Sequence, residues 1–315
     1  MLMYLFSSLL IYLILIISVM ISIAFLTLLE RKLLSYIHFR KGPNKIFFKG
    51  MFQPFSDVLK LFLKESLKLK NLNYLIYLSS PIFGLLVLLL SWVIFPYVMN
   101  EYSMNLSMIY LFVIVSMSVY MIMMAGWSSN SLYSLLGSIR SIAQTISYEV
   151  ILMLLIILEL FLLESFNINK FMIFQKKCWF IFLNLLVGIL VYISILAELN
   201  RTPFDLTEGE SELVSGFNVE YMSGKFAFIF MIEYGMIMFF MMLYKIMFLN
   251  GKMSNFLDLL IYMMFLMMLI FIRASMPRIR YDKLMYLIWK SFLPYCLNYY
   301  LMIYFLKFYM EIVLN

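Results

Sequence analysis

Eight apolar runs divide the chain, each long enough for a bilayer crossing, which takes about 20 helical residues. They lie at about residues 3–29, 75–98, 106–125, 146–163, 178–197, 226–247, 255–272 and 291–309. The first run is uncharged until Glu30-Arg31-Lys32 ends it. Beyond it, Pro54 to Lys70 reads PFSDVLKLFLKESLKLK, with Lys60, Lys64 and Lys68 four apart and Leu59, Phe62, Leu63 and Leu67 on another face. That period predicts an amphipathic helix over 54–70 lying along the membrane surface. The expected fold is an all-α membrane protein: eight transmembrane helices plus this surface helix, in a single polytopic domain over 1–315. With no basic region, cleavage-site pattern or amphipathic presequence ahead of it, the first run reads as a retained span.

One polar stretch interrupts the pattern. Ala197 to Tyr221 reads AELNRTPFDLTEGESELVSGFNVEY, so six of the chain's 17 acids (Glu198, Asp205, Glu208, Glu210, Glu212 and Glu220) fall within 25 residues against one base, Arg201. A solvated loop explains most acidic runs of this kind. Its neighbours change the picture. Of the 24 lysines and arginines, 18 fall in loops 1–2, 3–4, 5–6 and 7–8, which places those loops on the inner side of the membrane. On that side the first loop is strongly basic and the loop between spans 5 and 6 acidic, so the two attract each other. A packed inner-side vestibule is expected.

Composition sets the remaining bounds. The net charge of +7 reflects bases beside spans and makes no case for nucleic acid. Cys178 and Cys296 lie far apart without CxxC spacing, and His38 is the only histidine, so iron-sulfur, zinc and haem ligation find little support. No GxGxxG or P-loop motif is present. The halves of the chain show no repeat of the inverted-transporter kind.

Ionisable groups inside spans are costly and mark proton or ion paths. Glu149, Glu198 and Glu233 fall at similar depth near the inner ends of spans 4, 5 and 6. A carboxyl there resists ionisation and can exchange a proton; the other reading is a buried carboxylate paired with Arg140, Arg201 or Arg273. Asp57 and Glu65 either extend the acidic line or pair with the lysines of their own helix. Arg31, Arg140, Arg278 and Arg280 either orient a polar head group or fix topology.

Five segments carry a resemblance: LTLLERKLLSYIHFRKGPNK (26–45), QPFSDVLKLFLKE (53–65), AGWSSNSLYSLLGSIRSIAQTISYE (125–149), AELNRTPFDLTEGESELVSGFNVEY (197–221) and PRIRYDKLMYLIWKSFLP (277–294). Together they resemble the NADH-ubiquinone oxidoreductase chain 1 family, membrane subunits of respiratory complex I. The resemblance implies a multi-pass protein of the mitochondrial inner membrane, its large basic and acidic loops facing the matrix. It implies ubiquinone as substrate, with no flavin, iron-sulfur cluster or metal bound by this chain. Partners would be the quinone-site subunits of the matrix arm, neighbouring small membrane subunits and lipid. By the same resemblance Asp57, Glu65, Glu149, Glu198 and Glu233, with Asp205, Glu208, Glu210, Glu212 and Glu220, belong to a proton path. Arg31, Arg140, Arg201, Phe204, Phe217, Arg278 and Arg280 line or brace a quinone chamber. Two positions depart from the family pattern: Leu199 stands where Thr is usual, and Glu159 where an uncharged residue is expected. The rival readings are an independent ion or proton transporter and the related subunit of a membrane-bound hydrogenase.

Overall fold

The computed structural model describes residues 2–66, 71–96, 104–176, 178–206, 216–249 and 255–314, and their regular structure is helical. In chain order the helices are α1 (Leu2–Ile37), α2 (Gln53–Leu63), α3 (Tyr74–Ser91), α4 (Ser107–Ser128), α5 (Leu132–Leu163) and α6 (Ile168–Phe174). They continue as α7 (Phe180–Leu183), α8 (Leu185–Glu198), α9 (Ser223–Phe248), α10 (Phe256–Ser275), α11 (Tyr281–Tyr286) and α12 (Leu293–Leu314). Six of them, α1, α3, α4, α5, α9 and α10, are long and apolar enough to cross a membrane. Most of α9 is buried, including Phe239, Met241 and Phe248, so it is the central post on which α1, α3, α8 and α10 pack.

The element boundaries differ from the sequence pattern for identifiable reasons. α1 continues through Glu30, Arg31 and Lys32 to Ile37, because charged residues end an apolar run without lowering helix propensity. α2 stops at Leu63, with Lys64 already extended (φ −76, ψ 136), short of the expected 54–70. Residues 67–70 lie outside the described residues. α3 passes into a short 3₁₀ turn, Trp92–Ile94, and Phe95 leaves it in extended conformation, as the residue before Pro96 must.

The small-residue stretch after span 3 reads as a connection but folds as the first turns of α5. Its serines satisfy themselves on the helix: Ser134, Ser138 and Ser141 each donate to the carbonyl three residues back, at 2.8–2.9 Å. The small side chains then admit close neighbours. A Cβ on Gly137 would sit 3.1 Å from the Gly216 backbone, so this glycine lets the loop before α9 lie directly on α5.

The expected fifth span is divided at Asn184 (φ −128, ψ 54) into α7 and the 14-residue α8. The expected eighth is the last part of a helical stretch that is continuous from Tyr281 to Leu314. Pro294 offers no amide to the Lys290 carbonyl, and the backbone widens into a π-helical turn over Leu287–Phe292 before α12.

Candidate functional site

The polar stretch begins where α8 ends. Asn200 sits in the left-handed region (φ 50), a conformation that Asn tolerates better than most side chains. The Arg201 amide turns back to the Leu196 carbonyl at 3.2 Å, which tucks Arg201 under the helix terminus. There the carbonyl end of the helix dipole favours a cation. Gln144 of α5 holds this turn. Its side-chain amide donates to the carbonyls of Ala197 (2.9 Å) and Phe204 (2.7 Å), clamping both ends of the segment that carries Arg201.

Buried Arg201 reaches across to α9. Its Nη2 lies 3.7 Å from Glu233 Oε2, and its guanidinium stands 4.7 Å from the centre of the Tyr234 ring. Tyr234 in turn lies within reach of the charge of Glu30 of α1, which is ion-paired with Arg273 of α10. Glu198, Arg201, Phe217 and Glu233 line one cavity of about 80 Å³, walled by Met121 of α4 and Thr145 of α5. Glu198 is buried, its Oε2 has no hydrogen-bond partner, and Glu149 on α5 lies within reach of its charge.

Of the three carboxyls expected to converge, Glu198 and Glu233 share the cavity and Glu149 faces Glu198. The pairing alternative holds for one of them: Glu233 pairs with Arg201, whereas Arg273 is taken by Glu30. Asp57 is bound by Arg31 and by the Gln53 amide at 2.9 Å. Glu65 is exposed beyond the end of α2. Asp205 pairs with Arg278 at 3.2 Å, and the Ile279 amide donates to Pro203 at 2.9 Å, so the segment before α11 is fastened to the acidic stretch. Arg280 pairs with Asp282 on the surface at 3.0 Å. Phe204 is buried against Tyr148, with ring centres 5.8 Å apart, beside the cavity lining. Arg140 is half-buried on α5. Glu208, Glu210 and Glu212 lie outside the described residues. The Glu220 carbonyl accepts from Tyr77 at 2.7 Å.

Next to it Tyr221 stacks on Tyr77, ring centres 4.4 Å apart, and its hydroxyl meets Ser80 at 2.8 Å and Ser128 at 3.3 Å. Burial pushes the Tyr221 phenol up, with the two serine hydrogen bonds opposing.

Glu30, Tyr234 and Gln144 carry the arrangement yet are absent from the residues expected to form the site. Glu30 had a visible signal, as an acid beside two bases at the end of a span. A buried glutamine and a helical tyrosine had none.

Among the described residues no three His, Cys, Asp or Glu side chains gather as a metal site would need. The cavity instead joins an apolar wall to one cation and two carboxyls. Such a lining sets a cation that can stabilise negative charge beside carboxyls that can exchange protons, against an apolar wall.

Comparison with known proteins agrees in class. Residues 10–304 match the NADH dehydrogenase family model. The chain is 52% identical to NADH-ubiquinone oxidoreductase chain 1 of Aedes aegypti over 287 residues, 91% of this chain and 92% of the mosquito protein. With the Locusta migratoria protein of that name it shares 52% over 94% of each. With the opossum one, from Didelphis virginiana, it shares 43% over 89% of this chain and 90% of that one. The chain therefore belongs to the NADH-ubiquinone oxidoreductase chain 1 family and is a membrane subunit of complex I.

Proposed function

We propose that this chain forms the access chamber for ubiquinone and that its buried carboxyls pass the effect of quinone reduction to proton movement. The observation that carries the reading is the shared cavity of Glu198, Arg201, Phe217 and Glu233. Reduction of ubiquinone adds electrons before both protons are in place, so negative charge rises on the head-group oxygens. Arg201 stabilises that charge and is drawn from Glu233, whose carboxyl then binds a proton more readily. Glu198 and Glu149, close enough to feel each other's charge, respond as a coupled pair. A proton taken up at one alters the occupancy of the other, and the change travels along α5 and α8 toward neighbouring subunits.

In this reading the chain lies in the mitochondrial inner membrane with loops 1–2, 3–4, 5–6 and 7–8 on the matrix side, as the lysine and arginine bias supports. The broken helix pair α7–α8 and helix α12 supply the fifth and eighth crossings, and α2 lies along the surface. The Arg31–Asp57 and Asp205–Arg278 pairs brace the matrix side where the quinone-site subunits dock. Flavin and iron-sulfur clusters belong to those partners. The test is Glu149→Gln and Glu233→Gln in the assembled complex: the account expects impaired NADH-driven proton pumping in at least one, and unchanged pumping in both would sink it.

A further inference from the structure

Away from the cavity, three polar side chains meet inside the apolar bundle. Glu159 of α5 is fully buried, and its Oε1 accepts from the Asn184 side-chain amide at 3.1 Å. The Tyr299 hydroxyl on α12 donates to Asn184 Oδ1 at 2.8 Å, which fixes the amide so that its NH₂ faces the carboxyl. Glu159 Oε2 is buried and has no hydrogen-bond partner. Asn184 is the residue at which the α7–α8 helix breaks, so the break brings an amide to a carboxyl whose hydrogen-bond partner among the described residues is that neutral amide and not a cation.

Among the described residues, Lys307 of α12 and Lys245 of α9 are engaged elsewhere, and the Tyr192 hydroxyl of α8 is buried without a hydrogen-bond partner. On α12, Lys307 is held by Glu164 and by the Phe161 carbonyl at 3.2 Å. On α9, Lys245 pairs with Asp258 of α10 at 3.6 Å. Tyr299, with Tyr295 stacked on it at 5.9 Å, is the titratable side chain joined to Glu159 through Asn184. An ionised carboxylate here would have one neutral donor on one oxygen and nothing on the other, in surroundings that do not solvate charge. A neutral acid fits: Oε1 is the carbonyl that accepts from Asn184, and Oε2 carries the proton.

We propose that Glu159, with Asn184 and Tyr299, is a second proton-binding site of this chain, distinct from the Glu149–Glu198–Glu233 group. It lies ten residues beyond Glu149 on α5, about 15 Å along the helix axis. One helix thus carries two exchangeable protons at different depths. The site stands whether or not the cavity holds quinone.

Infrared spectroscopy of the intact complex tests it, through the carbonyl-stretch region of protonated carboxylic acids. Glu159→Gln is expected to remove one such band near neutral pH. Loss of carboxylate intensity instead, with the acid region unchanged, would overturn the proposal. Should that variant fail to assemble, Tyr299→Phe decides. Freeing Asn184 weakens its hydrogen bond to the acid carbonyl and moves the band to higher frequency, whereas an unmoved acid region would overturn the proposal.

Discussion

The guanidinium of Arg201 stands 3.7 Å from the carboxylate of Glu233, tying the turn after α8 to the third turn of α9. The arginine side chain is 9% exposed and the glutamate 22%. Removing the cation therefore strands a carboxyl that keeps only part of its water. Arg201→Met is expected to cost about 3 kcal/mol, the lower end for broken buried pairs. The thermal unfolding midpoint of the purified complex should fall, and quinone reduction with it, while NADH oxidation by a hydrophilic acceptor persists. Arg201→Lys should recover only part of the loss, because a point charge lacks the planar contact with Tyr234.

Gln144 acts through Arg201. Its amide satisfies two carbonyls on either side of the turn. Gln144→Leu leaves both without their donor in a buried place, at about 1–3 kcal/mol each. The expected kinetic mark is a raised KM for short-chain quinones with little change in activity toward a hydrophilic acceptor. Equal loss of both activities would mean that the glutamine serves stability alone.

Gly137 sets how closely the Gly216–Asn218 loop approaches α5. A Cβ there meets backbone atoms of Gly216 and Phe217 at 3.1–3.2 Å, and backbone cannot rotate aside. Gly137→Val should cost about 1–3 kcal/mol by overpacking and displace Phe217 from the cavity wall. Weaker quinone-site inhibitor binding, measured by titration of activity, checks it.

Beyond the end of α5, the hydrogen bond and charge of Lys307 hold the Glu164 carboxyl below its ordinary value of 4.5. A carboxyl depressed in the folded state contributes stability that is present above that ordinary value and lost as pH falls through the folded one. The pair is solvent-exposed, so the effect is small. Acid titration of the unfolding midpoint should show an added decline below about pH 4.5 that Glu164→Gln lacks.

Part of this was legible in the chain. Glu198, Arg201 and Phe217 stood together in one polar run between apolar ones, and those three line one cavity. The helical start of α5 was hidden because Gly and Ser signal turns in water, whereas between packed helices their small size permits close approach. The break at Asn184 was hidden too, since one asparagine in an apolar run gives no Gly or Pro signal. It is explained only by the partners at Glu159 and Tyr299, which are 25 and 115 residues away. Glu30, Tyr234 and Arg273 are single residues on three helices, and only tertiary packing brings them together.

Photolabelling native membranes with a reactive ubiquinone analogue, then mapping the labelled peptides after native-gel isolation, tests the central claim most directly. The account predicts label in this chain within the NADH-oxidising complex, on peptides containing Arg201, Phe217 or Glu233, and its loss under excess quinone. A chain that stays unlabelled there, or whose label survives competition, would contradict the chamber.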